Sequence, residues 1–295
     1  MKIVYFSKGV RGTVCLAEVL RGGHTIAAVV TSGRDDELKS LCESNKLPLY
    51  IPENPNTVEL AGLLKTLNAE MFVCSGYNKI LKPLIFKIPT LGTINLHGGR
   101  LPFYRGAAPI NWQIINGETV GGCCVLFVDS GIDTGPIIRQ ELYPISEDDT
   151  HQSVLDKTLR IFPKLLTEVL QDFENGNIHA SDQNLEDGFY YTRRYPEDSR
   201  INWRTMTDIQ VRNLARGMHG PFPHAFTFRE NEKVEIESTA LLKENIKGVS
   251  GRVVLKRDEG VVVICMNRGI VVTEIRIRGE TLNPRYIFNI GEMLT

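Results

Sequence analysis

Short apolar strands alternate with amphipathic helices over the first 173 residues, and this alternation limits the possible folds more than any other feature. Residues 2–6 (KIVYF) form a run of strand-favouring side chains. A helical spacing follows from Val14 to Leu20, ends at Gly22-Gly23, and leads into a second apolar run at 25–31. A strand, helix and strand in this order predict parallel strands joined by a right-handed crossover.

The same pattern then repeats along the chain. Helices are predicted over 36–46, 57–67, 107–116 and 151–173. Strands are predicted over 71–75, 92–96, 120–128 and 136–143. Alternating elements of this kind indicate an α/β fold with a Rossmann-like, mostly parallel sheet that is covered on both faces.

The pattern changes after about residue 190. A polar, aromatic stretch resembles a linker, and β-like runs then follow at 233–241, 249–256, 260–266 and 270–277, separated by turn residues. We therefore expect a first domain over 1–190 and a C-terminal β-rich, barrel-like domain, similar to an oligonucleotide-binding fold, over 205–295.

Charge and cysteine usage exclude several classes of function. The 295 residues carry a formal net charge of -1, which argues against a dedicated nucleic-acid binder. None of the six cysteines forms a C-x-x-C pair, and no His or Cys spacing indicates a metal site. No apolar run is long enough for a membrane span or a signal peptide, so we expect a cytoplasmic protein without a metal.

The chemistry is concentrated between residues 93 and 138. Asn95 and His97 are two residues apart at the end of a predicted strand, so their side chains point the same way. This end of a parallel strand is where open α/β sheets bind ligands. A Gly-rich loop follows His97 over 98–106, and a second one carries Asp129 and Asp133. We expect the second loop to lie near the end of the strand and to bring a carboxylate to the imidazole.

This segment resembles the folate-dependent formyltransferases. The resemblance rests on Asn-x-His, then Leu-Pro-x-x-Arg-Gly, then an Asp-Thr-Gly loop, which are Asn95, His97, 101–102, 105–106 and 133–135 here. Further similar stretches are 75–77, 111–112, 116–118, 193–198, and Arg216 with 221–223. Gly99 is a departure, because several relatives carry Ser at that position.

The resemblance implies formyl transfer from 10-formyltetrahydrofolate to a primary amine. In this interpretation His97 is the general acid and base, and Asn95 donates to the oxyanion. Asp133 orients His97, and the family adds a relay water at this carboxylate. The resemblance places the folate beside Tyr77, Leu101 and the 129–133 loop, which makes Asp129, Gly131 and Ile132 candidate contacts. Core packing is the alternative role for Tyr77 and Leu101.

Two acceptors fit the predicted two-domain chain. The first is a nucleotide-linked amino-deoxysugar, favoured as a 4-amino sugar by similarity to the formyltransferase half of the aminoarabinose enzyme. The second is methionyl-tRNA, whose formyltransferase has a basic loop after its second strand. The corresponding segment here, 31–41, has two basic and three acidic residues. Residues 205–295 have 13 Lys and Arg against 11 Asp and Glu. We therefore favour the sugar nucleotide and expect no nucleic-acid partner.

The diphosphate of such a substrate needs cationic contacts. Lys8 and Arg11 flank a Gly-containing turn at the first predicted helix, and the alternative is a solvated turn. Arg193 and Arg194 are further candidates, with a linker ion pair to Glu197 or Asp198 as the alternative. Arg105 and Trp112 are candidate acceptor contacts, and Trp112 could instead be core. The second domain either shapes the nucleotide pocket or supports a homodimer. A non-catalytic folate or nucleotide-sugar binding module is the third functional alternative.

Overall fold

A computed structural model describes residues 1–220 and 223–295. The chain divides into two compact units. The first comprises Met1–Gly106, Gly121–Tyr143 and Asp156–Tyr191, and the second comprises Ala107–Val120, Pro144–Leu155 and Thr192–Thr295. Pro221 and Phe222, which contribute to the resemblance noted above, lie outside the described residues.

The elements up to residue 191 alternate as the sequence predicts. The strands are β1 (Lys2–Ser7), β2 (Thr25–Thr31), β3 (Leu49–Tyr50), β4 (Met71–Ser75), β5 (Thr93–His97), β6 (Tyr104–Gly106), β7 (Val120–Phe127), β8 (Ile137–Pro144) and β9 (Phe189–Tyr191). The helices are α1 (Gly9–Arg21), α2 (Asp36–Ser44), α3 (Val58–Thr66), α4 (Pro83–Phe86), α5 (Pro109–Ile115) and α6 (His151–Glu174).

One seven-stranded sheet organises the first unit, in the order β3-β2-β1-β4-β5-β7-β8. The pairs from β3 to β5 are parallel, and β5 pairs with β7 antiparallel. Alternate residues of β1, such as Val4 and Phe6, pack with α3 and α4 in one core cluster. Tyr5 points the other way, and its hydroxyl donates to Gly12 O of α1. The sheet is thus covered on both faces, which confirms the predicted Rossmann-like fold.

An antiparallel sheet organises the second unit. It contains β10 (Ala225–Arg229), β11 (Glu232–Leu241), β12 (Val253–Lys256), β13 (Val261–Ile264), β14 (Gly269–Ile277) and β15 (Glu280–Leu282), and the helix α7 (Asp208–Gly217) precedes them. The path runs β10-β11-β14-β13-β12, with β15 paired to β14. Arg229 bridges to Leu294 and Arg252 bridges to Met293, so the C-terminal residues connect the two edges of this path. The C-terminal antiparallel domain agrees with the predicted β-rich class.

One predicted strand is shortened at its start for a local reason. The run predicted as a strand over 249–256 is a strand only over Val253–Lys256. Gly251 has a φ of +85°, which is left-handed backbone that a strand does not adopt. Helix α7 and the three-residue strands β6 and β9 were not predicted. Among the described residues, no helix combines the length and apolarity needed to cross a membrane.

Candidate active site

Asn95 and His97 come from the last residues of β5. Ile94 and Leu96, at 0% and 1% exposure, point into the sheet packing, so Asn95 and His97 share the opposite side. Strand β4 lies parallel on one side of β5, and β7 pairs on the other, where His97 is opposite Cys124. The imidazole is only 5% exposed. The sequence periodicity therefore predicted this shared orientation correctly.

Asp133 joins these two side chains from the loop after β7. Its Oδ1 accepts a hydrogen bond from Asn95 Nδ2 at 3.2 Å, and its Oδ2 lies 3.4 Å from His97 Nδ1. Oδ2 also accepts from the backbone N–H of Gly106 at 2.9 Å. The structure thus brings together the three groups that the sequence singled out, within the first unit.

The second ring nitrogen of His97 fixes the tautomer of the neutral ring. His97 Nε2 lies 2.5 Å from the carbonyl oxygen of Tyr104. A carbonyl can only accept, so this contact assigns the proton to Nε2. Nδ1 is left facing Asp133, where it can take up a proton beside a carboxylate that stabilises the resulting imidazolium. The geometry suits an acid–base group that accepts a proton at Nδ1.

The 129–135 loop is shaped by its own polar contacts. Asp129 Oδ1 accepts from Gly131 N at 3.0 Å and from the Thr134 hydroxyl at 2.6 Å. Gln183, which the sequence reasoning missed, donates to the carbonyls of Asp133 and Gly135 at 2.9 and 2.7 Å. Asp129 is therefore a turn former in this structure, while Gly131 and Ile132 are exposed. A folate contact at this loop stays a prediction.

The other two candidate folate residues lie in packed surroundings. Leu101 is 2% exposed and packs with Cys124, Leu126 and Ile137. Tyr77 packs edge-on against Phe6 at a ring distance of 5.4 Å, and burial raises the pKa of its phenol to about 12. Packing is the role that this structure gives both side chains, and contact with folate stays a prediction.

Arg105, on β6, contacts the chain segment over residues 185–190. It is 2% exposed, and its Nη2 donates to the carbonyls of Leu185 and Gly188 at 2.8 and 3.0 Å. Its guanidinium lies 4.5 Å from the ring centroid of Tyr190. Substrate contact by Arg105 remains a prediction, because the contacts seen here fix residues 185–190.

The turn that precedes α1 uses its polar groups internally. Gly9 N donates to Asp35 Oδ2 at 2.7 Å, so a carboxylate of the chain itself sits at this helix N-terminus. The Lys8 ammonium donates to the carbonyl of Arg34. Arg11 lies over the Phe162 ring at 5.0 Å. A phosphate bound here would compete with Asp35, so this structure supports the turn role more than the phosphate role.

Trp112 and Arg194 contact each other within the second unit. The Arg194 guanidinium lies 4.6 Å from the Trp112 ring, and Trp112 Nε1 donates to Thr192 O at 3.0 Å. Arg194 also donates to the carbonyl of Asp198 at 2.6 Å, and burial lowers the pKa of its guanidinium. Arg193 is exposed. Over residues 1–220 and 223–295, no cluster of His, Cys, Asp or Glu is arranged to hold a metal.

Known proteins share both the sequence and the fold of this chain. The profile described as formyl transferase matches residues 2–170, and the formyl transferase C-terminal domain profile matches 194–290. Methionyl-tRNA formyltransferase of Acetivibrio thermocellus is 31% identical over 287 residues, covering 94% of this chain and 92% of the relative. That of Thermodesulfovibrio yellowstonii is 34% identical over 253 residues, covering 82% and 81%.

Solved structures give the same fold at lower identity. WlaRD, a sugar 3N-formyl transferase solved with dTDP and 5-N-formyl-THF, has a TM-score of 0.70 at 19% identity, covering 95% of this chain and 98% of WlaRD. HypX from Aquifex aeolicus, solved with tetrahydrofolic acid, has a TM-score of 0.65 at 18% identity and covers 97% of this chain. The chain spans about half of HypX, 46% of its length. The chain belongs to the formyl transferase family and is an N-formyltransferase of the folate-dependent kind.

Proposed function

We propose that this protein transfers the formyl group of 10-formyltetrahydrofolate to the primary amine of a nucleotide-linked amino-deoxysugar, a 4-amino sugar in the first instance. The observation that carries the catalytic half is the approach of Asp133 to Asn95 at 3.2 Å and to His97 at 3.4 Å. Membership of an enzyme family counts against the non-catalytic binding module.

His97 handles the proton in this mechanism. The amine attacks the formyl carbon, and a tetrahedral intermediate forms with a negatively charged oxygen. Nδ1 of His97 takes the proton that the amine loses, while Nε2 keeps its own proton and donates it in a hydrogen bond to the Tyr104 carbonyl. The same nitrogen then returns a proton to the folate nitrogen as it leaves, so His97 ends the cycle unchanged.

Asn95 and Asp133 stabilise charges that exist only during the reaction. The Asn95 amide has two N–H groups, of which one donates to Asp133 Oδ1. The second is available to the oxyanion, and such a donor contributes roughly 3–4 kcal/mol in comparable sites. The Asp133 carboxylate stabilises the imidazolium and, as in the family, is suited to hold a relay water.

The connection between β2 and α2 supports a small acceptor. Only residues 32–35 join the two elements, and Asp35 accepts from Leu38 N at 3.2 Å as the cap of α2. Arg34 is paired with Asp36 at 2.8 Å. This four-residue connection holds one arginine and one aspartate, so it provides no basic segment to enter a tRNA acceptor stem. Neighbours of the same fold include sugar N-formyltransferases.

Methionyl-tRNA is the second candidate acceptor, because the curated relatives named above carry that activity in their names. They are 31% and 34% identical and share the two-domain extent of this chain. The short 32–35 connection and the excess of acidic over basic residues across 31–41 argue against it here, so we place it second.

A panel of acceptors separates the two proposals. The purified protein is incubated with 10-formyltetrahydrofolate and 3-amino or 4-amino deoxysugars linked to dTDP, UDP or GDP, and with charged initiator tRNA. We expect one class of sugar nucleotide to gain a formyl group by mass spectrometry and the tRNA to remain unmodified. Parent sugar nucleotides without the amine are the matched control. Robust formylation of the tRNA alone would replace the sugar proposal with the second candidate.

A further inference from the structure

Gln140 on β8 contacts the loop between β5 and β6 at several points. Its Oε1 accepts the backbone N–H of Leu101 at 2.9 Å and the thiol of Cys124 at 2.8 Å. Its Nε2 lies 3.4 Å from the carbonyl oxygen of Leu101, near the long limit for a hydrogen bond. One side-chain amide therefore contacts both the backbone N–H and the carbonyl oxygen of Leu101.

Cys124 connects the same loop to β7. The thiol is fully buried, and burial raises its pKa to about 12, so it stays protonated and can donate. Its sulfur lies 2.8 Å from Gln140 Oε1 and 3.1 Å from the carbonyl oxygen of Gly99. Cys124 is also the residue opposite His97 across the β5–β7 pair. The network of Gln140 and Cys124 thus holds the loop at Gly99 and Leu101.

The position of Leu101 is transmitted to His97 through one turn. Tyr104 N donates to Arg100 O at 3.0 Å, which closes a turn over residues 100–104 with Leu101 inside it. The carbonyl of Tyr104 is the group that holds His97 Nε2 at 2.5 Å. A shift of Leu101 would move this carbonyl. The ring would then lose the contact that keeps the proton on Nε2 and keeps Nδ1 facing Asp133.

We propose that Gln140 is a positioning residue that fixes the 100–104 turn and, through the Tyr104 carbonyl, the tautomer and orientation of the His97 ring. The inference rests on the proposed role of His97 and is independent of which amine is the acceptor. Acid–base groups lose rate steeply when they are displaced, by as much as about 100-fold for about 1 Å.

The first test replaces the amide by an apolar side chain. In Gln140→Leu we expect kcat to fall about tenfold, while the KM for 10-formyltetrahydrofolate changes less than about threefold. Arg139→Met is the matched control on the same strand, because Arg139 pairs with Glu168 and Asp172 rather than with the loop. The control should keep the wild-type kcat.

A spectroscopic readout separates positioning from a loss of folded protein. Nitrogen-15 spectra of His97, assigned with His97→Asn, should show the Nε2–H tautomer in the wild type and a mixture of tautomers in Gln140→Leu. This measurement needs no acceptor, so it remains decisive if every sugar nucleotide in the panel is inert. Wild-type kcat together with a wild-type His97 spectrum in folded Gln140→Leu would overturn the proposal.

Gln140→Glu tests the contacts with nearly unchanged shape. A carboxylate can accept from Leu101 N and Cys124 but cannot donate to Leu101 O, whereas the protonated acid can. The ratio of the kcat of this variant to that of the wild type should therefore rise as the pH falls. A ratio that equals one at every pH would also contradict the proposal, including in the case that Gln140→Leu fails to fold.

Discussion

Asp133 combines an unfavourable backbone with three favourable contacts. Its φ is +53°, a left-handed conformation that costs non-glycine residues about 1–2 kcal/mol, although Asp tolerates it better than most. In this conformation the carboxylate reaches Asn95, His97 and Gly106 N together. The strain is local and the contacts are long-range, as is common where a residue is held for function.

Removal of the Asn95 amide should affect the chemical step. We expect Asn95→Ala to lower kcat about 100- to 1,000-fold with a smaller change in either KM, because the oxyanion exists only during the reaction. Steady-state kinetics with the acceptor identified by the panel provide the measurement. Asn78→Ala, at an exposed asparagine bonded to Ser32, is the matched control. A retained kcat in Asn95→Ala would remove the oxyanion role.

The short parallel pair of β6 and β9 fixes the end of the loop that follows β5. Tyr104, Arg105 and Gly106 pair with residues 189–191, and the rings of Tyr104 and Tyr191 stack at 4.8 Å with an interplanar angle of 7°. Gly106 has a φ of +94°, and a Cβ there would lie 2.4 Å from Tyr191 O. The pair therefore requires glycine for space as well as for backbone conformation.

Gly106→Ala should disturb both this pair and the Asp133 carboxylate, since Gly106 N donates to Asp133. We expect an activity loss of at least about tenfold and a stability loss larger than the roughly 1 kcal/mol typical of a left-handed glycine. Gly176→Ala is the control, because its φ is +69° with nothing within 4 Å of the added Cβ. Urea unfolding and kcat measure the two effects. Equal stability losses without an activity difference would contradict this role of β6.

At the scale of the whole molecule, the net charge contributes little attraction for tRNA. The formal net charge is -1, and the C-terminal residues 205–295 hold 13 basic against 11 acidic side chains. Several basic groups are occupied within their own unit, such as Arg229 by Glu292 and Arg268 by Asp208. Affinity for a polyanion depends on the number of phosphates that are neutralised, and each neutralised phosphate steepens the salt dependence.

We therefore expect initiator tRNA to bind only in the non-specific range, with a Kd weaker than about 10 μM at physiological salt. The logarithm of affinity should fall only shallowly with the logarithm of salt concentration. Filter binding at several salt concentrations measures both quantities. A chain with a Lys/Arg-rich loop inserted between Gly33 and Arg34 is the positive control. Tight binding with a steep salt dependence in the wild type would revive the tRNA proposal.

The sequence by itself determined the α/β class and which three side chains come together in the candidate active site. Strand and helix periodicities are local properties, because burial of one face repeats every two or every 3.6 residues. The two-residue spacing of Asn95 and His97 was therefore enough to assign both side chains to one side of β5. Element boundaries followed within a few residues, except where a glycine such as Gly251 left the strand conformation.

Apart from the approach of Asp133 to His97, only the tertiary structure decided which distant groups meet. The contacts of Gln140 with Leu101, of Gln183 with Asp133 and of Arg105 with Gly188 join residues 39, 50 and 83 positions apart. Three-residue strands such as β6 and β9 show no periodicity that a sequence could reveal. Asp35 likewise occupies the N-terminus of α1, where the sequence had predicted a phosphate contact. Such pairings arise when the whole chain folds, because hydrogen bonds between remote segments leave no local pattern.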